Sequence, residues 1–248
     1  MNSTQSFHKQ IDAARLPEGQ VAWVAALVSR VMERLGRLSA DERALFTQLC
    51  RLIARSGSPV TSHHLVDLKL HPDRIRDLMA DLDRYKLVWF DDDLRAVLRC
   101  PPLSVLHTPH QVKAFGWERS YASSLIEAPV TLIVFGPNVW LTVQTTCPHS
   151  GELLKFRVML TDSERLRLDA PGDADQWRVW LPVPAAPLAD AYDWLHENRL
   201  RIGLFHSQED LDAYRRHEGG DPGIVYTLEQ AVYLSQWLLY AYRRALGQ

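Results

Sequence analysis

The sequence of 248 residues predicts an α+β protein, with an N-terminal winged-helix-like helical region (1–100) followed by a mixed α/β region (101–248). Three observations predict it. Apolar residues recur at helical spacing through the N-terminal part, adjacent prolines at Cys100-Pro-Pro-Leu103 interrupt the pattern, and runs of β-branched and aromatic residues separated by turn residues follow.

After a polar opening to Pro17 that reads as frayed, Val21, Val24, Leu27, Val28, Val31 and Leu35 fall on one face of a helix. Ser39-Ala-Asp-Glu42 has the form of a capping box and opens a second helix through Leu45, Leu49, Leu52 and Ile53, which Gly57-Ser-Pro59 ends. Thr61 and His71-Pro72-Asp73 start two more, over 61–68 and 72–85, the latter with Ile75, Leu78, Met79 and Leu82 inward. Leu87-Val-Trp-Phe90, Asp91-Asp-Asp93 and the apolar residues to Leu98 read as a β-hairpin, the wing. Beyond the prolines, 130–135, 139–145, 153–160, 177–183 and 201–205 read as strands, and 188–198, 208–217 and 228–246 as helices. Residues 169–175 read as a mobile loop, and no internal repeat is present.

Composition excludes several classes. An apolar content of 46% is enough for a substantial core, and a net charge of −2 gives no overall attraction to nucleic acid or anionic lipid. The first residues lack the apolar centre of a secretory signal and no apolar run is long enough to cross a bilayer, so a cytoplasmic protein without a membrane partner is expected. Cys50, Cys100 and Cys147 are odd in number and scattered, which argues for reduced thiols. A winged helix raises the alternative of a transcriptional regulator. The would-be recognition helix disfavours nucleic acid, because Asp73, Arg74, Arg76, Asp77, Asp81, Asp83 and Arg84 leave it with acids in the majority.

Ser124 and Glu127 stand three residues apart in Tyr121-Ala-Ser-Ser-Leu-Ile-Glu-Ala128, which reads as a short helix running into the apolar strand from Pro129 and on to Gly136. The spacing puts a hydroxyl and a carboxylate on one helical face. This segment resembles the core of the alkylmercury lyase (organomercurial lyase) family, in which a cysteine thiolate holds mercury and an aspartate three residues on handles the proton. The resemblance is tightest from Tyr121 to Gly136, looser over the N-terminal region, which is winged-helix-like in the family too, and fades toward the C terminus. It places Ser124 at the cysteine position and Glu127 at the aspartate position. Cys147, in Thr145-Thr-Cys-Pro-His149, matches a cysteine that is structural in the family. A second register, anchored on Phe115-Gly-Trp117, puts Glu118 and Tyr121 at the two positions instead. The family's second mercury-binding cysteine has its counterpart around 198–200, with Arg199 the best match. In either register no cysteine occupies the site, and an alcohol is a hard, weak ligand for a soft metal.

The resemblance therefore implies a scaffold without its mercury ligands: a lyase or hydrolase acting by proton transfer on a small-molecule substrate rather than on a C–Hg bond. Ser124 would supply the hydroxyl, Glu127 the acid or base, and Arg199 a fork for a carboxylate or phosphate. A buried carboxyl group whose pKa is raised toward neutrality suits proton transfer. The plainer reading makes Ser124 a small helix residue and the Glu–Arg pair a salt bridge. The competing class is a non-catalytic small-ligand or metal-binding protein, with Cys147 and His149 donating to Zn(II) or Cu(I), and Glu152 or His206 adding a ligand. Its plainer reading is a turn with a buried thiol and an exposed histidine. No Gly-x-Ser-x-Gly elbow, phosphate loop or dinucleotide fingerprint occurs, so no other cofactor is expected. The aromatic helix at 228–246 closes the core in one reading; in another, Trp237 and Tyr240 form an exposed stripe that supports a homodimer.

Overall fold

A computed structural model describes residues 16, 21–91, 93, 95–182, 195, 197–217 and 223–247; the polar opening and most of the helix expected at 188–198 lie outside them. Helix α1 (Val21–Gly36) turns Val24, Leu27, Val28, Val31 and Leu35 inward, as the periodicity requires. Helix α2 (Ala40–Ser56) begins with the expected capping box: Ser39 Oγ accepts the Glu42 N–H at 3.3 Å and a Glu42 carboxylate oxygen accepts the Ser39 N–H at 2.5 Å. It stops at Gly57, whose φ of 60° lets its N–H reach the Ile53 carbonyl, and a Cβ there would stand 2.7 Å from the Arg119 carbonyl oxygen. A 3-10 turn (Ser62–Leu68) and helix α3 (Pro72–Arg84) follow, with Ile75, Leu78, Met79 and Leu82 buried.

Strands β1 (Val60–Thr61), β2 (Trp89–Phe90), β3 (Ala96–Cys100), β4 (Leu103–Ser104), β5 (His110–Ala114), β6 (Ser120–Ala122), β7 (Trp140–Thr146), β8 (Leu153–Leu160) and β9 (Leu166–Asp169) form one sheet. Its order is β1-β3-β4-β6-β5-β7-β8-β9, with β2 beside β3, and every pairing is antiparallel. The sheet continues through the β3–β4 pairing across Cys100–Leu103, where the sequence places a boundary. Val112, Val143 and Phe156 stand opposite one another on the buried face, while Arg99, Ser104, Tyr121, Gln111 and Gln144 line up across the other. A second antiparallel sheet, β11-β10-β12, is built from β10 (Arg178–Pro182), β11 (Gly203–Phe205) and β12 (Gly223–Thr227).

The expected strand at 130–135 is a correction. Pro129–Thr131 is a 3-10 turn and Leu132–Phe135 the short helix α4, ended at Gly136, whose N–H reaches the Leu132 carbonyl. A short run of apolar residues reads alike as strand or buried helix, and burial of Pro129, Val130, Thr131 and Leu132 leaves no polar alternation to decide. Residue 169 belongs to β9 and not to a loop. Helices α5 (Gln208–His217) and α6 (Leu228–Leu246) fall where expected, and α6 opens on a capping box between Thr227 and Gln230. Helix α6 packs along α1 and over the 129–135 segment, so these elements share one core. Among the described residues no helix is long and apolar enough to cross a membrane.

Candidate active site

The chain turns sharply after β6. Ser123 N–H donates to the Pro102 carbonyl at 2.8 Å and Ala128 N–H to the Ser124 carbonyl at 3.0 Å, pinning residues 123–128 as one turn beside β4. That turn directs Ser124 and Glu127 inward, where each is fully buried. Ser124 Oγ donates to Glu127 Oε2 at 2.8 Å and accepts the Glu127 N–H at 3.3 Å. The 3-10 turn Arg199–Arg201, just before β11, brings in the third group. Arg199 Nε lies 3.0 Å from Glu127 Oε2 and Nη2 lies 3.2 Å from Oε1, a two-pronged ion pair with both side chains 1% exposed. The three residues picked from sequence thus meet in one cluster. Both of those Arg199 donors serve Glu127.

Two residues the sequence reading passed over complete the surroundings. Trp89 on β2 and Arg99 on β3 are partners across the hairpin, and both guanidiniums approach the Trp89 ring, Arg199 Cζ at 5.1 Å and Arg99 Cζ at 5.7 Å from its centroid. Burial first, and then repulsion from Arg199, push the Arg99 guanidinium below its ordinary pKa, with Glu127 pulling the other way. The available signal was a lone charge inside the otherwise apolar-and-thiol strand Ala96-Val-Leu-Arg-Cys100.

His110 also escaped notice, because the strand it opens is defined by partners distant in sequence. It is buried at the start of β5, pairs through Nδ1 with Thr145 Oγ1 at 2.9 Å, and burial depresses its pKa to about 4, with a backbone contact at Ile202 acting in the opposite direction. Ile202 directly follows the turn that carries Arg199.

Cys147 is buried at the end of β7 and His149 is exposed in the following turn. His206 lies 3.6 Å from Glu152 and 3.3 Å from Asp173. Among the described residues, no group of three or more His, Cys, Asp or Glu side chains is placed to hold a metal ion. In the second register Glu118 is exposed and Tyr121 half-buried on the sheet. A groove of about 960 Å³ between β9 and α6 is lined by Leu166, Leu168, Tyr233, Trp237 and Tyr240 and contains none of Ser124, Glu127 or Arg199. Its charged residues, Glu164, Arg165 and Glu229, are exposed.

Helices and antiparallel sheet in this arrangement define a MerB-like fold. A solved structure of this kind is the mercury-bound form of MerB2, which the chain matches with a TM-score of 0.60 over 88% of its own length and 98% of that chain, at 18% sequence identity. No protein-family model and no curated protein matches the sequence.

Proposed function

We propose that the chain is a diverged alkylmercury-lyase-like protein that acts on a small organic substrate by proton transfer at Glu127. The observation that carries this reading is the buried cluster itself: Glu127 Oε2 accepts from both Ser124 Oγ and Arg199 Nε. A hydroxyl held 2.8 Å from a carboxylate gives a direct path for a proton between them, and the Arg199 fork fixes the carboxylate's orientation. A reaction catalysed here is a lyase or hydrolase step in which Glu127, with Ser124 as relay, gives or takes the proton.

Cleavage of a carbon–mercury bond does not suit these groups. MerB2 is known in a mercury-bound form, whereas the three cysteines of this chain are Cys50, Cys100 and Cys147, and none of them belongs to the cluster. Hydroxyl, carboxylate and guanidinium are poor partners for a soft cation.

The test has two arms. Incubation with an organomercurial should release no hydrocarbon, and rapid release would refute the loss of mercury chemistry. Incubation in deuterated water with small carbonyl and carboxylic compounds, followed by proton NMR, should reveal a substrate whose exchange or cleavage disappears in Glu127→Gln. Turnover that survives this substitution in a folded protein would remove Glu127 from the reaction.

A further inference from the structure

The sealed Glu127–Arg199 pair, with the half-buried Arg99 and Trp89 at its edge, is electrically unbalanced. Two guanidiniums, Arg99 and Arg199, face the same indole of Trp89, and among the described residues one carboxylate, Glu127, answers them. Glu127 places its two oxygens on Arg199 Nε and Nη2, so the countercharge serves Arg199 directly and Arg99 only at longer range. Arg99 Nε is buried and has no hydrogen-bond partner. A donor left so in a native interior calls for a physical account, because losing water without gaining an acceptor is unfavourable. The loss is greater for a charged group.

The neighbouring surface tells what would satisfy it. On the sheet face that carries Arg99, the residues opposite it in register are Trp89 on one side and Ser104 on the other, with Tyr121 and Gln111 next along the row. Ser104 Oγ is already engaged with the Leu106 carbonyl and N–H, so it does not serve Arg99. Gln111 Oε1 is a second buried atom without a partner in the same row. The row therefore sets a cation beside the Trp89 ring, with the Tyr121 ring two strands further on, which fits a small organic acid: its carboxylate on the guanidinium fork and its body along an aromatic face.

We propose that Arg99 receives the carboxylate of an organic monoanion, which completes the charge balance of the cluster and sets the substrate beside Glu127. This inference rests on the proton-transfer reading of Glu127 for its functional meaning, but the binding itself needs no turnover. Arg99 is then a binding residue that determines substrate class, a role Arg199 is too engaged with Glu127 to fill alone.

The test is calorimetric titration of the full chain with acetate, benzoate and phenylacetate, with the neutral amides acetamide, benzamide and phenylacetamide as controls. At least one acid should bind saturably and its amide at least about ten-fold more weakly, in keeping with a charge-assisted pair. Arg99→Gln, checked for folding by its unfolding transition, should weaken the acid by about ten-fold or more, and Arg99→Lys should fall between, having the charge without the fork. Absence of saturable binding by all three acids, equal binding of acid and amide, or unchanged affinity in a folded Arg99→Gln would each overturn the proposal. Loss of exchange activity in Glu127→Gln with acid binding retained would separate this site from the chemistry, so the two readings fail independently.

Discussion

Arg199 grips Glu127, 72 residues earlier in the chain, with Nε at 3.0 Å and Nη2 at 3.2 Å from its two oxygens, both side chains sealed from solvent. A buried pair of this kind makes its members costly to remove singly, because the survivor is left charged and unanswered. Glu127→Met or Arg199→Met should each lower stability by about 3–5 kcal/mol, whereas the double substitution should lose much less than the sum. Urea unfolding of the four proteins measures the coupling. Additive losses would mean that the pair contributes no interaction of its own.

His110 supplies the pH dependence. Unfolded, it takes a proton near its ordinary pKa of 6.5; folded, it resists down to about 4. Between those values the unfolded chain binds the additional proton, so stability attributable to His110 is complete above about pH 6.5, declines as pH falls, and levels off below about 4. The loss across that window is about 3 kcal/mol. His110→Gln should flatten this part of the stability curve, read as the difference between wild type and variant so that carboxylate titration cancels. Identical slopes from pH 6.5 to 4 in both proteins would refute the assignment.

Local signals were legible where chemistry and spacing agree. The Ser39 capping box, the glycine stop at Gly57 and the inward face of α3 were all readable, because each depends on residues within a few positions of one another. The run from Pro129 to Phe135 was misread since its helical form is decided by tertiary packing under α6, which outweighs β-branched propensity. Strands β5, β6 and β12 were missed because partners distant in sequence define them; Val225 and Tyr226, for instance, pair with Trp180 and Val179. At the site, Ser124 and Glu127 were visible through their three-residue spacing and Arg199 through the family resemblance. Arg99 was not, because only the β2–β3 register sets it against Trp89.

Gly223 tests the second sheet, which holds the turn carrying Arg199 through β11. A Cβ at this position would overlap Trp180 Nε1 and come within 2.6 Å of Cε2. The indole cannot easily yield: Trp180 is 1% exposed, with the Tyr214 ring edge-on at 6.0 Å and the Arg201 guanidinium at 5.9 Å. Gly223→Ala should therefore destabilise by about 1–3 kcal/mol through overpacking. Gly172→Ala, where a Cβ meets open space, is the control. Equal midpoints in thermal or urea unfolding would show that the indole relocates freely.

The thiols provide a chemical probe of the same interior. Cys50 on α2 and Cys100 at the end of β3 sit with their sulfurs 3.4 Å apart, and both, like Cys147, are free and buried. Burial first, then the hydrogen bond and proximity of Cys50, raise the Cys100 pKa well above the ordinary thiol value. Since the thiolate is the reactive species, a protonated and enclosed sulfur attacks a disulfide reagent slowly. Ellman's reagent should find almost no rapidly reacting thiol in the native protein and all three after unfolding in guanidinium. A fast stoichiometric reaction at neutral pH would reveal a thiol open to solvent, and with it a soft-metal ligand available on the folded chain.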